Sequence, residues 1–176
     1  MKKYAPYFLV VIIGLTLVIL FYRWQAANQP KPQISPEGIS IEDLTPEEQT
    51  DLVQGGVDDY QEVQLKPTGL LGKIAALGTL RYLVENGKFK FSAITQLPEP
   101  EVGKSYSLWI HPLNSKRWHK VTGLELKKGG FIGSAALPAD ILPVEVVIST
   151  GEEPSQVLDQ ALFKATVPAP EEQSGT

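Results

Sequence analysis

The 176-residue sequence predicts an all-β protein: an antiparallel β-sandwich of about seven strands, preceded by one N-terminal transmembrane helix and an extended linker. Three observations predict it. Beyond residue 70, short apolar runs are separated by Gly, Pro and Asn turn signals. No long stretch there has helical apolar spacing, and residues 4–22 carry no charge. The expected boundaries are a cytoplasmic stub at 1–3, a membrane helix at 4–22, an acidic, Pro-containing linker at 23–69, the sandwich at 70–167 and a disordered tail at 168–176.

The stretch YAPYFLVVIIGLTLVILFY matches the roughly 20 residues needed to cross about 30 Å of hydrocarbon at 1.5 Å per residue. Tyr4, Tyr7, Tyr22 and Trp24 flank it where amphipathic rings favour the interfaces. A cleaved signal peptide needs small residues at −3 and −1. Cutting after Ala27 puts Gln25 at −3, and cutting after Ala26 puts Trp24 there, so the helix is read as retained. Lys2, Lys3 and the α-amino group lie before it and Arg23 and Lys31 after it, which orients the N-terminus inside and the chain beyond residue 23 outside. The expected location is therefore the cytoplasmic membrane, single-pass, with the bilayer as a partner through residues 4–22.

In the linker, Pro30, Pro32 and Pro36 favour an extended, semi-rigid spacer. Thr45-Pro46-Glu47-Glu48 reads as a short helix start, with Thr45 as cap, Pro46 at the first helical position and Glu48 closing a capping box. Gly55-Gly56 stops it within about ten residues.

The domain itself opens with a strand over Ala75–Val84. Asn86-Gly87 supplies the positive-φ pair of a tight hairpin, and the chain returns over Phe89–Thr95. A rigid turn, Pro98 to Gly103, precedes the alternating strand Ser105–Ile110. Further strands are expected over Trp118–Leu126, Phe131–Ala136, Val144–Ser149, whose β-branched run suits a central position, and Ala161–Val167.

Composition excludes several functions. The chain holds 16 Lys/Arg and 20 Asp/Glu, and removing Lys2, Lys3 and Arg23 leaves 13 basic against 20 acidic residues. That balance disfavours nucleic acid as a partner. Zero cysteines rule out a disulfide, a thiol nucleophile and a thiolate-bound zinc. His111 and His119 flank one turn but lack a third metal ligand in the pattern. Ser105, Ser107 and Thr122 lack the strained elbow and orienting acid of a hydrolase. Asp58-Asp59 and Glu152-Glu153 read as solvated pairs, and Lys127-Lys128-Gly129-Gly130 lacks the phosphate-loop spacing. No cofactor, metal or catalytic residue is therefore assigned, and the chain is read as non-enzymatic. The strongest surface candidate is Lys116, Arg117, Trp118 and His119, where cations flank an aromatic ring in a combination suited to a polyanion or carbohydrate.

Leu97-Pro98, the Pro-rich turn, Gly103-Lys104 and the strand Tyr106-Ser107-Leu108-Trp109 occur in an order that resembles the C-terminal extracytoplasmic domain of anti-sigma-K-type factors. The sequence continues with KVTGLEL and then VEVVISTGEEPSQ, matching that pattern through Glu153-Pro154, although Ser155-Gln156 stand where the family has Gly-Gly. The resemblance covers about residues 74–167 and implies a β-sandwich outside the membrane. A full member of that family also carries a cytoplasmic helical module that holds the sigma factor. Here only three residues precede the apolar helix, so direct sigma-factor binding is not expected. The leading expectation is a membrane-anchored interaction or scaffold domain that binds an envelope protein. The alternatives are a sensor related to anti-sigma factors working with a separate cytoplasmic partner, and an envelope carbohydrate-binding module or enzyme using the loops from His111 to His119.

Overall fold

The computed structural model describes residues 15–21, 23, 33–34, 38–54, 60–71 and 76–170, in a chain that divides into two units, Met1–Lys31 and Pro32–Thr176. The second unit contains strands β1 (Gln33–Ile34) and β2 (Ser40–Ile41), helix α1 (Pro46–Gln54), then β3 (Gln61–Gln64), β4 (Lys66–Pro67), β5 (Gly78–Glu85) and β6 (Lys88–Thr95). It continues with β7 (Ser107–Pro112), β8 (His119–Gly123), β9 (Glu125–Lys127), β10 (Gly130–Pro138), β11 (Val144–Ser149) and β12 (Ala161–Val167). Two five-stranded antiparallel sheets result: β3-β5-β6-β10-β9, called here the first sheet, and β4-β12-β11-β7-β8, the second.

Local chemistry explains the strand ends. Asn86 and Gly87 take φ of 50° and 73°, the left-handed pair that joins β5 to β6 in an unbroken eight-pair register. Alternation then sends Leu80, Tyr82, Phe89, Phe91 and Ala93 from the first sheet, and Leu108, Ile110, Val144, Val146, Ile148 and Phe163 from the second, into one core. Phe89 and Phe91 stack with centroids 4.9 Å apart at its centre. A second, smaller cluster lies apart from this core: Trp109, Val147, Val157 and Ala161, with Trp118 packed against them.

Strands that change sheets close both sides of the sandwich. β3 pairs with β5 in the first sheet, and after Leu65 the same segment continues as β4 against β12 in the second. On the other side β8 pairs with β7, and after Leu124 the chain crosses to pair as β9 with β10. The strand expected over Trp118–Leu126 is thus two short strands in different sheets, because a buried Leu124 draws the chain across the core.

Residues 39–54 and 60–67, expected to lie in a spacer, belong to the fold. Ile41, Leu52 and Leu65 are all buried. The capping box forms as expected: the Glu48 N–H donates to Thr45 Oγ1 at 3.3 Å and the Thr45 N–H to Glu48 Oε2 at 3.0 Å. The helix lies on a polar part of the first sheet. Lys90 Nζ meets Glu48 at 2.9 Å and also bonds Glu85, Gln49 Nε2 donates to Ser134 Oγ at 3.0 Å, and Arg81 donates to the Val53 carbonyl at 2.6 Å. The spacer reading rested on Pro and Glu content, which does not register apolar residues spaced too far apart for a local pattern.

The expected membrane helix at 4–22 is corrected. Among the described residues, no helix is long and apolar enough to cross a membrane. Residues 4–14 and 22 lie outside the described residues, as do Asp58-Asp59 and positions 171–176 of the tail. The single-pass topology, the bilayer as a partner, the cytoplasmic-membrane location and the anchored form of the interaction domain are withdrawn with the helix.

Candidate functional site

The turn after β7 is built by Pro112 and Ser115: the Ser115 N–H donates to the Pro112 carbonyl at 2.8 Å, and the Arg117 N–H donates to Ser115 Oγ at 3.2 Å. The chain then re-enters the second sheet with His119 opposite Ile110. Ile110 is a core residue and side chains alternate, so His119 turns to the inner side while Trp118 turns to the outer.

The run Lys116, Arg117, Trp118 and His119 therefore does not form one patch. Lys116 and Arg117 are exposed on the loop. Trp118 is half-buried against the small outer cluster and stacks on His111 with centroids 4.9 Å apart and planes at 27°. His119 is 5% exposed and lines a cleft of about 280 Å³ at the end of the sandwich. Pro112, Ile39 and Ile141 supply apolar wall, and Asn114, Ser115, His119 and Asp140 supply polar atoms. Asp140 sits on the short 3-10 turn Ala139–Ile141 after β10, and Ile39 precedes β2, so segments distant in sequence complete the site. No local pattern marks those two residues.

The geometry separates the groups that catalysis or metal binding would need together. His111 and His119 lie on opposite faces of their hairpin. Among the described residues no group of three or more His, Asp or Glu is placed to hold a metal. Ser107 and His111 share a face of β7 but lie four residues, about 13 Å, apart, too far for a serine–histidine hydrogen bond. Thr122 Oγ1 donates to the Gly123 carbonyl at 3.2 Å. Glu152 and Glu153 are exposed at the opposite end, where Glu153 precedes the 3-10 turn Pro154–Gln156. Lys127 is engaged by Gln49 at 2.8 Å, and the Gly129-Gly130 pair serves the β9–β10 turn.

Pro98, Gly103, Tyr106, Leu108 and Trp109, among the residues that carry the sequence resemblance, have structural work. The Tyr106 hydroxyl donates to the Pro98 carbonyl at 2.9 Å, and its ring meets Phe131 edge-on with centroids 5.0 Å apart. Gly103 takes φ of 84° in the turn, Leu108 enters the core and Trp109 anchors the outer cluster. Burial pushes the Tyr106 hydroxyl pKa above its usual range, since the phenolate is the costlier form to bury. In comparisons with known proteins the chain matches no family model, no curated protein and no solved structure.

Proposed function

We propose that the chain is a non-enzymatic binding module that engages a partner protein at the end of the sandwich formed by residues 112–119 and 139–141. The observation that carries this reading is the cleft there, with four polar side chains set between apolar walls and two exposed cations on the adjoining loop. Binding sites combine apolar contact area with a few placed polar groups in this way. We also read the sandwich as related to the outer domain of anti-sigma-K-type factors. The support is the order of Leu97-Pro98, Gly103-Lys104 and Tyr106 to Trp109, together with the structural work that Pro98, Gly103, Tyr106, Leu108 and Trp109 do. Such a relation concerns architecture, and the partner is set by the loops grafted on it.

The test uses the full chain as bait in lysate of the cells that make it, beside K116E/R117E and, as a control at the other end, E152K. One discrete protein, depleted about tenfold with the double variant and retained with the control, is expected for a charge-assisted interface. Equal recovery with all three baits would remove this end of the sandwich as the interface.

A further inference from the structure

β10 is nine residues long, yet β9 covers only Gly130–Ile132 of its free edge. In an antiparallel ladder successive residues turn their backbone groups to opposite sides. Ala136, which bonds Glu42, therefore faces this edge, and so does Ser134. Among the described residues one bridge meets this half of the strand: the Glu42 N–H donates to the Ala136 carbonyl at 2.9 Å and the Ala136 N–H to the Glu42 carbonyl at 2.8 Å.

The arm that makes the bridge has fewer backbone pairs than the strand on the opposite edge. Ile41 is buried at 6% exposure, Ile39 packs beside the core, and Lys88 forms an ion pair with Glu42. On its far side, among the described residues, β2 pairs with the two-residue β1. By contrast, β6 and β10 share eight register pairs on the other edge. The arm also leaves its groove unfilled. A cleft of about 180 Å³, separate from the one lined by His119, reaches it at Ser40 and Glu42, between Asn86, Lys88 and Pro138.

We infer that this edge of β10 is an acceptor site for an extended peptide of the pattern aliphatic-x-aliphatic-acidic, which enters as an added strand when the arm swings out. The arm's own Ile39-Ser40-Ile41-Glu42 defines the chemistry. The peptide backbone takes the two bonds of Ala136, its second aliphatic side chain takes the site of Ile41, and its carboxylate meets Lys88. Strand addition draws affinity from main-chain bonds and specificity from alternate side chains. The tethered arm competes at an effective concentration in the millimolar range, so the site is closed to weak ligands until the arm is loosened. This inference stands apart from the partner proposed above, because its test uses neither that partner nor residues 112–119.

The probe is a fluorescein-labelled peptide GISIED, residues 38–43, titrated into the full chain carrying Ile41→Ser. A saturable rise in anisotropy is expected, at least about tenfold weaker with the unaltered chain and with Ile41→Ser plus Lys88→Glu. A folded Ile41→Ser chain without saturable binding, or equal binding of a peptide with scrambled order, would overturn the inference. Should Ile41→Ser not fold, amide exchange in the unaltered chain decides. Exchange at Ala136 at least about tenfold faster than at Ala135 and Leu137, which face β6, supports a swinging arm, and equal protection overturns it.

Discussion

Leu65 and Leu124 stand at matching points on opposite sides of the sandwich: each is the buried residue at which a strand leaves one sheet for the other. The Leu65 N–H donates to the Gly78 carbonyl and the Leu124 N–H to the Tyr106 carbonyl, both at 2.8 Å, so the backbone stays bonded as it crosses. Their exposures are 3% and 8%. Truncating either to Ala removes core packing and a sheet crossover together, so each should cost about 2–5 kcal/mol in denaturant unfolding. Exposed Leu126, two residues beyond one crossing and 61% exposed, should cost under about 0.5 kcal/mol.

Gly129 and Gly130 both take positive φ, 111° and 130°, but only Gly130 is crowded. A Cβ there would lie 2.3 Å from the Thr95 carbonyl oxygen, whereas one on Gly129 meets nothing within 4 Å. Gly129→Ala should therefore cost only backbone strain, about 1–2 kcal/mol. Gly130→Ala should cost more than about 3 kcal/mol, because backbone must shift. Thermal melting of the two variants checks the order, and a reversed order contradicts the turn geometry.

The Lys90 ammonium lowers the Glu48 pKa through its hydrogen bond, with the Thr45 N–H adding to it, while Glu48 and then Glu85 raise that of Lys90. A depressed carboxyl pKa stabilises the fold above the unfolded-state value, and that contribution is lost as pH falls through the folded value. A raised lysine pKa contributes below its unfolded value and is lost as pH rises through the folded one. The seat of α1 should thus weaken below about pH 4 and above about pH 10. Since Glu48 is partly exposed, solvent screening limits the effect to about 1 kcal/mol. Lys90→Met should flatten the acid limb of a stability–pH profile, and an unchanged limb contradicts the pairing.

The length of the folded unit is testable by truncation. A chain beginning at Pro32 retains β3, β4 and α1, whereas one beginning at Leu70 lacks the closure at Leu65 and the buried Ile41 and Leu52. The first should unfold cooperatively, and the second should lose cooperativity or bind a hydrophobic dye. Equal melting of both would return residues 39–54 and 60–67 to the role of a spacer.

Much of the second half of the fold was legible because its signals are local. Asn86-Gly87 needs only two residues to declare a turn, and the run Val144–Ser149 declares a central strand at the bounds the structure shows. The capping box at Thr45 and Glu48 was legible for the same reason. The edge strands were not, because β3 and β4 are too short for an alternating pattern and depend on β5 and β12 for their register. Uniform apolarity over 4–22 pointed to a span that the described helix does not make. Of the candidate site, the loop 116–119 was visible as cations beside an aromatic ring. Its division between two faces was not, since that follows from the pairing of His119 with Ile110, and Asp140 and Ile39 enter only through tertiary folding.

The most direct test of the proposed function is site-resolved photocrosslinking in cells that make the protein, with a photoreactive residue at Asn114, in the cleft, or at Glu152, at the opposite end. The account predicts one reproducible protein adduct from position 114 that disappears when R117E is added, and no such adduct from position 152. The same adducts from both positions, or none from position 114, would contradict it.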